Sequence, residues 1–137
     1  MFAWLFAKIV CPSVKFRYTK DTCSYDYVQE IVYYNPHENA MGFLRNLKEV
    51  HKCPLNYGLP LWTILHEIGH YHTLDECDDD LETRALCAII PLDKAKDCDK
   101  LQDLYYGIES EWVATEWAID YAKSHPFICR LFNLVLR

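Results

Sequence analysis

The stretch Leu61-Trp-Thr-Ile-Leu-His66-Glu67-Ile-Gly-His70-Tyr-His72 contains the pattern H-E-x-x-H, and its reading decides the fold. On an α-helix His66 and His70 stand four residues apart, so their imidazoles project from one face, one turn apart. That spacing suits two neutral nitrogens holding one Zn2+ ion. Glu67, beside the first of them, is placed to act as general base on the attacking water. The flanks fit a partly buried helix that begins near Pro60, a residue suited to a first helical turn. Leu61, Ile64, Leu65 and Ile68 recur at i, i+3, i+4 and i+7, a core-facing stripe. Gly69 lowers helix stability but lets another backbone come close. The plain alternative, two surface histidines and a helix glutamate, sits poorly with this apolar pattern.

Upstream of this helix, residues 14–19 alternate apolar and basic side chains, which predicts a half-exposed strand. Asp21 to Ser24 is turn-like. Tyr27 to Tyr34, rich in aromatic and β-branched residues and ended by Asn35-Pro36, predicts a second strand, so a small antiparallel sheet is expected. Glu38 to His51 has helical apolar spacing and is closed by Cys53-Pro54. Downstream comes an acidic run from Asp75 to Glu82, whose ordinary reading is a solvated loop and helix start. A short helix is expected over Leu81 to Ile90, then a charged connection from Lys94 to Lys100. A long helix is expected from Leu101 to Ser124, and a last apolar helix from Phe127 to Leu136.

The chain has 137 residues, 51% hydrophobic and 15% aromatic, which predicts one folded domain over 1–137. Its net charge of -6 disfavours direct nucleic-acid binding. Seven scattered cysteines, with no C-x-x-C pair, fit reduced, mostly buried thiols and a cytoplasmic setting. The apolar start, Met1 to Val10, is too short to span a bilayer. It is expected to pack on the core, with a membrane-surface anchor as the lesser alternative, so no stable membrane insertion is expected.

A catalytic zinc site needs three protein ligands and an open position. His72 lies two residues past His70 and points to another side of the helix, so it does not complete the set. The long C-terminal helix offers a candidate, because its apolar stripe of Leu101, Leu104, Ile108, Thr115, Ala118 and Ala122 is interrupted at Glu111. A carboxylate in a core-facing stripe is costly unless something compensates it, and a metal ion does. Gly107, Ala114 and Ala118 beside it permit close helix approach. Glu116 falls on the polar face with Glu109 and Asp120. Glu116 and an acid from residues 75–82 remain alternatives to Glu111.

His66-Glu-Ile-Gly-His70 followed by Glu111-Trp-Val-Ala114-Thr-Glu-Trp117-Ala118 resembles the ImmA/IrrE-type metallopeptidases, with their H-E-x-x-H and downstream E-x-x-A-N-x-F-A. Thr115 stands where that pattern has Asn, and Trp117 where it has Phe. The resemblance covers residues 25 to 122. It implies an α+β, zincin-like domain in which a small sheet packs on the H-E-x-x-H helix, His66, His70 and Glu111 hold Zn2+, and Glu67 is catalytic. Such proteins are often phage or mobile-element encoded, and some cleave a transcriptional repressor.

The expected activity is therefore zinc-dependent hydrolysis of a peptide bond in a protein or peptide substrate. The sheet edge around Tyr27 to Tyr34 is a candidate for aligning an extended substrate. Tyr71, His72, Tyr105 and Tyr106 are candidates for an electrophilic helper. The alternative is a non-catalytic zincin-fold interaction module, against which the intact Glu67 argues.

Overall fold

The computed structural model of the chain describes residues 2–74 and 99–136. The acidic run, the expected helix over Leu81 to Ile90 and most of the Lys94 to Lys100 connection lie outside them. The order of elements is α1 (Phe2–Val10), β1 (Lys15–Tyr18), β2 (Ser24–Asp26), β3 (Ile31–Tyr34), α2 (Met41–Glu49), α3 (Leu59–Thr73), α4 (Asp99–Tyr106), α5 (Glu109–Ser124) and α6 (Pro126–Leu136). Helices surrounding a small sheet agree with the α+β class.

The H-E-x-x-H helix α3 is the centre of the molecule. Every residue from Leu61 to His70 is buried, not only the predicted stripe. A helix enclosed on all sides must be apolar nearly all round, and Trp62, Ile64, Leu65 and Ile68 supply that surface. Each such side chain contributes about 1.5–3 kcal/mol of burial. Gly58 caps the helix in extended conformation and Pro60 stands in its first turn, where no intrahelical N–H is required. The Gly58 N–H donates to Asn133 Oδ1 at 2.8 Å, tying the start of α3 to α6.

The sheet corrects the expectation of antiparallel pairing. Its order is β1-β3-β2; β3 pairs antiparallel with β2 but parallel with β1, in the register Phe16 opposite Val32. The most apolar strand takes the middle, because only there are both of its edges hydrogen-bonded within the buried sheet. Ile31–Tyr34 therefore cannot accept a substrate strand, and the outer strands of the sheet, among the described residues, are β1 and β2. The strand predicted from Tyr27 begins only at Ile31. Asp26 Oδ1 accepts the N–H groups of Val28 and Gln29, and Glu30 has a φ of 56°, so residues 27–30 form the hairpin turn. Side-chain capping by Asp26 overrides the strand preference of Tyr27 and Val28.

The predicted helix from Leu101 to Ser124 is two helices. Ile108 is extended, with φ −60° and ψ 138°, and caps α5. The break changes which residues point inward. Gln102 and Tyr106 of α4 are buried while Leu104 is 61% exposed. After the break the predicted stripe holds: Glu111, Ala114, Thr115, Ala118 and Ala122 are all buried. Asp103 links α4 to α2 through Arg45 at 2.7 Å and Asn46 at 3.2 Å.

Candidate metal centre

α3 and α5 cross so closely that a Cβ on Gly69 would lie 2.5 Å from the carbonyl oxygen of Ala114. The two small residues bring the backbones together, and the side chains one turn away meet as a result. His66 Nε2 lies 2.8 Å from Glu111 Oε2, and His70 Nε2 lies 3.3 Å from Glu111 Oε1. Ligand atoms of these three residues all fall within 4.8 Å of one another, and no other such group occurs among the described residues. Three donors about 2.0 to 2.2 Å from one tetrahedral ion stand about 3.3 to 3.6 Å apart. The observed spacing is of that order, so these residues could hold a metal ion.

The hydrogen bonds around His66 fix which nitrogen is free. The Thr115 hydroxyl donates to the backbone carbonyl of Glu111 at 2.9 Å, so its oxygen accepts from His66 Nδ1–H at 3.0 Å. That assigns the tautomer whose lone pair is on Nε2, the nitrogen facing Glu111. A lone pair 2.8 Å from a carboxylate is repulsive unless a positive charge, a proton or a metal cation, is shared between them. The imidazole is further held by Phe43, edge-on at 4.9 Å, and by His70 at 4.7 Å.

Burial alone would raise the pKa of Glu111. With the histidine pair protonated, the charge and hydrogen bonding of His70 and His66 outweigh it and hold the carboxyl well below the usual range. Tyr105 donates to Glu111 Oε1 at 3.2 Å, a further stabilisation of the anion. Glu67 is different. It is buried, and loss of hydration raises its pKa; the two histidines oppose this, while Glu111 and Glu38 add to it. A carboxyl raised in this way holds a proton more readily than an exposed glutamate does.

Glu67, His66 and Glu111 line one small cavity of about 70 Å³ with Thr63, Tyr105 and Tyr106. Cys23 and Glu38 line it too. Burial first, then Glu38, raises the Cys23 thiol far above neutrality, so it does not serve as a thiolate nucleophile. Tyr106 is likewise pushed up, by burial and then by the surrounding carboxylates, and remains a neutral phenol.

Of the sequence candidates, His66, Glu67, His70 and Glu111 are brought together. Glu116 is not: its carboxylate is 43% exposed and bonds His51 Nδ1 at 3.0 Å, away from the histidine pair. The run from residues 75 to 82 lies outside the described residues. Among the expected helpers, Tyr105 and Tyr106 line the cavity, whereas Tyr71 packs edge-on against Tyr25 and His72 stacks on Trp117. The hydroxyl of Thr115 and the carboxylate of Glu38 also reach this cluster, which sequence reasoning did not assign. Thr115 carried a signal, a hydroxyl inside an apolar stripe one turn after Glu111. Glu38 carried none, because loop geometry alone brings it in; its Oε2 accepts the Cys23 N–H at 3.2 Å.

No protein-family model, no curated protein and no solved structure matches the chain.

Proposed function

We propose that this chain is a zinc-dependent endopeptidase of the ImmA/IrrE type, acting on a protein substrate such as a regulatory protein. The observation that carries the reading is the convergence of two imidazoles from one helix and a buried carboxylate from another, with Glu67 lining the same cavity as His66 and Glu111. Two nitrogens and one oxygen are a donor set suited to catalytic zinc, which leaves a position open. Zinc, when bound, supplies Lewis acidity that polarises a carbonyl and lowers the pKa of water.

The chain's own residues do the rest. Glu67 takes a proton from the attacking water and passes it to the leaving amine, a role suited to a carboxyl whose pKa burial has raised. Tyr106, a neutral phenol on the cavity wall, is a donor available to the developing oxyanion, and Tyr105 is a second where its hydroxyl turns from Glu111. The strand β2 packs against α3 and is an outer strand of the sheet among the described residues, so it takes over the substrate-aligning role first expected of Tyr27 to Tyr34.

The test is a comparison of wild type with Glu67→Gln. Metal analysis should find close to one zinc per chain in both, while cleavage of a denatured-protein or peptide library falls by roughly 100-fold or more in the variant. Equal activity, or zinc in neither protein, would overturn the reading. Zinc in both with no cleavage by wild type on any substrate would move the assignment to a non-catalytic interaction module.

A further inference from the structure

All 20 acidic residues lie between Asp21 and Asp120, so residues 1–20 and 121–137 carry only cations, half of the chain's 14 lysines and arginines. The fold gathers these two basic segments. α1 packs on β1 and on α6, both helices rest on α3, and Phe6 meets Phe132 at 5.0 Å between ring centroids. Each of the two helices is apolar on its outer face as well as its inner one. α1 turns Ala3, Phe6 and Ala7 inward yet leaves Phe2, Trp4, Leu5 and Ile9 between 40% and 47% exposed. α6 turns Cys129 and Phe132 inward yet leaves Phe127, Leu131 and Leu134 between 51% and 79% exposed, spaced i, i+4, i+7. Next to α1, strand β1 exposes Lys15, Arg17 and Tyr18. Apolar surface concentrated on two adjacent helices marks an interaction site rather than ordinary scatter.

We propose that the α1–α6 face docks on the surface of an anionic lipid bilayer. Its apolar side chains enter the boundary between headgroups and acyl chains, and the flanking cations meet the lipid charge. Charge decides among the occupants. A second copy packed about a two-fold axis would set the same cations against each other, whereas anionic lipid neutralises them. Tryptophan, tyrosine and phenylalanine are the side chains that settle at this boundary. The acidic body of the molecule is repelled by the same lipid, which orients the basic end toward it. No described helix is long and apolar enough to cross a membrane, so the contact is peripheral.

The test is co-sedimentation of the full chain with phosphatidylcholine vesicles containing about a third phosphatidylserine. Binding should be strong, weaker on pure phosphatidylcholine, and reduced at about 0.5 M salt. The paired change Leu5→Ser with Leu134→Ser, both at exposed positions, should abolish it with an unchanged circular dichroism spectrum. Lys15→Gln with Arg17→Gln should weaken it by about fivefold per cation removed. Trp4 gives an independent readout that needs no folded apolar variant: emission should shift to the blue on anionic vesicles, and Trp4→Phe should remove that component. Failure of the wild type to sediment with anionic vesicles overturns the proposal. So does binding untouched by both paired variants. A concentration-dependent dimer that Leu5→Ser with Leu134→Ser dissociates, without vesicle binding, assigns the face to a second copy instead. None of these readouts depends on peptidase activity.

Discussion

Thr115 shows how much of the centre rests on one hydroxyl. It accepts a hydrogen bond from His66 Nδ1–H and donates its own to the backbone carbonyl of Glu111, so one side chain fixes the imidazole against α5. Thr115→Val keeps the shape but leaves a buried imidazole N–H without an acceptor. Zinc affinity, read by competition with a chromophoric chelator, should fall by about 10- to 100-fold, and Thr115→Ser should restore it. An unchanged affinity in the valine variant would mean that the ring is held by packing against Phe43 alone. Glu67 supplies a pH dependence. Its carboxyl is raised, so the folded chain binds a proton that the unfolded chain releases above about pH 4.3. Stability attributable to this group is therefore present at low pH and lost as pH rises through the folded value. In chelator-treated protein, Glu67→Gln should raise the melting temperature at pH 7 to 8, and the gain should disappear as pH falls below about 4. A gain that grows on acidification would mean the side chain is not buried as an anion. At this scale the sequence was informative about proximity: histidine, glutamate and their spacing singled out four residues that the fold brings together. It was silent on Glu38, whose approach depends on the loop between β3 and α2.

The crossing of α3 and α5 is where the elements make the site. Gly69 faces backbone, not a movable side chain, at 2.5 Å. Gly69→Ala must therefore push the helices apart. It should cost about 1–3 kcal/mol or more in denaturant unfolding and lower zinc affinity at the same time, because Glu111 recedes from both histidines. A variant that loses stability but keeps full zinc affinity would show that the ligands can follow the helix shift. Helical periodicity gave α2, α3, α5 and α6 their approximate extents, since the apolar stripe that predicts a helix is the one that buries it. It failed at Gly107 and Ile108. The stripe ran through the break on paper, but Ile108 turns extended and α4 rotates, burying Gln102 and exposing Leu104. Strand preference failed at Tyr27 and Val28, where an Asp26 turn wins locally.

For the molecule as a whole, a bound ion adds its binding free energy to the fold. At free zinc about a thousandfold above its dissociation constant, stability should rise by about 4 kcal/mol, which is on the order of ten degrees in melting temperature. Chelation should reverse the gain, and neither His66→Ala nor His70→Ala should show it. A wild-type melting curve indifferent to zinc and to chelator would remove the metal from the account. The sequence by itself determined the central helix and the placing of His66 and His70 on one face of it, because both are local: the histidine spacing follows helical pitch, and the apolar run around it follows from burial. It also singled out Glu111, because a carboxylate amid small apolar residues is an anomaly visible without coordinates. Only the tertiary structure decided that β3 lies between β1 and β2, that Glu116 pairs with His51, and that Thr115 orients His66. Those are contacts between residues far apart in the chain, chosen by competition among packings that no single segment encodes.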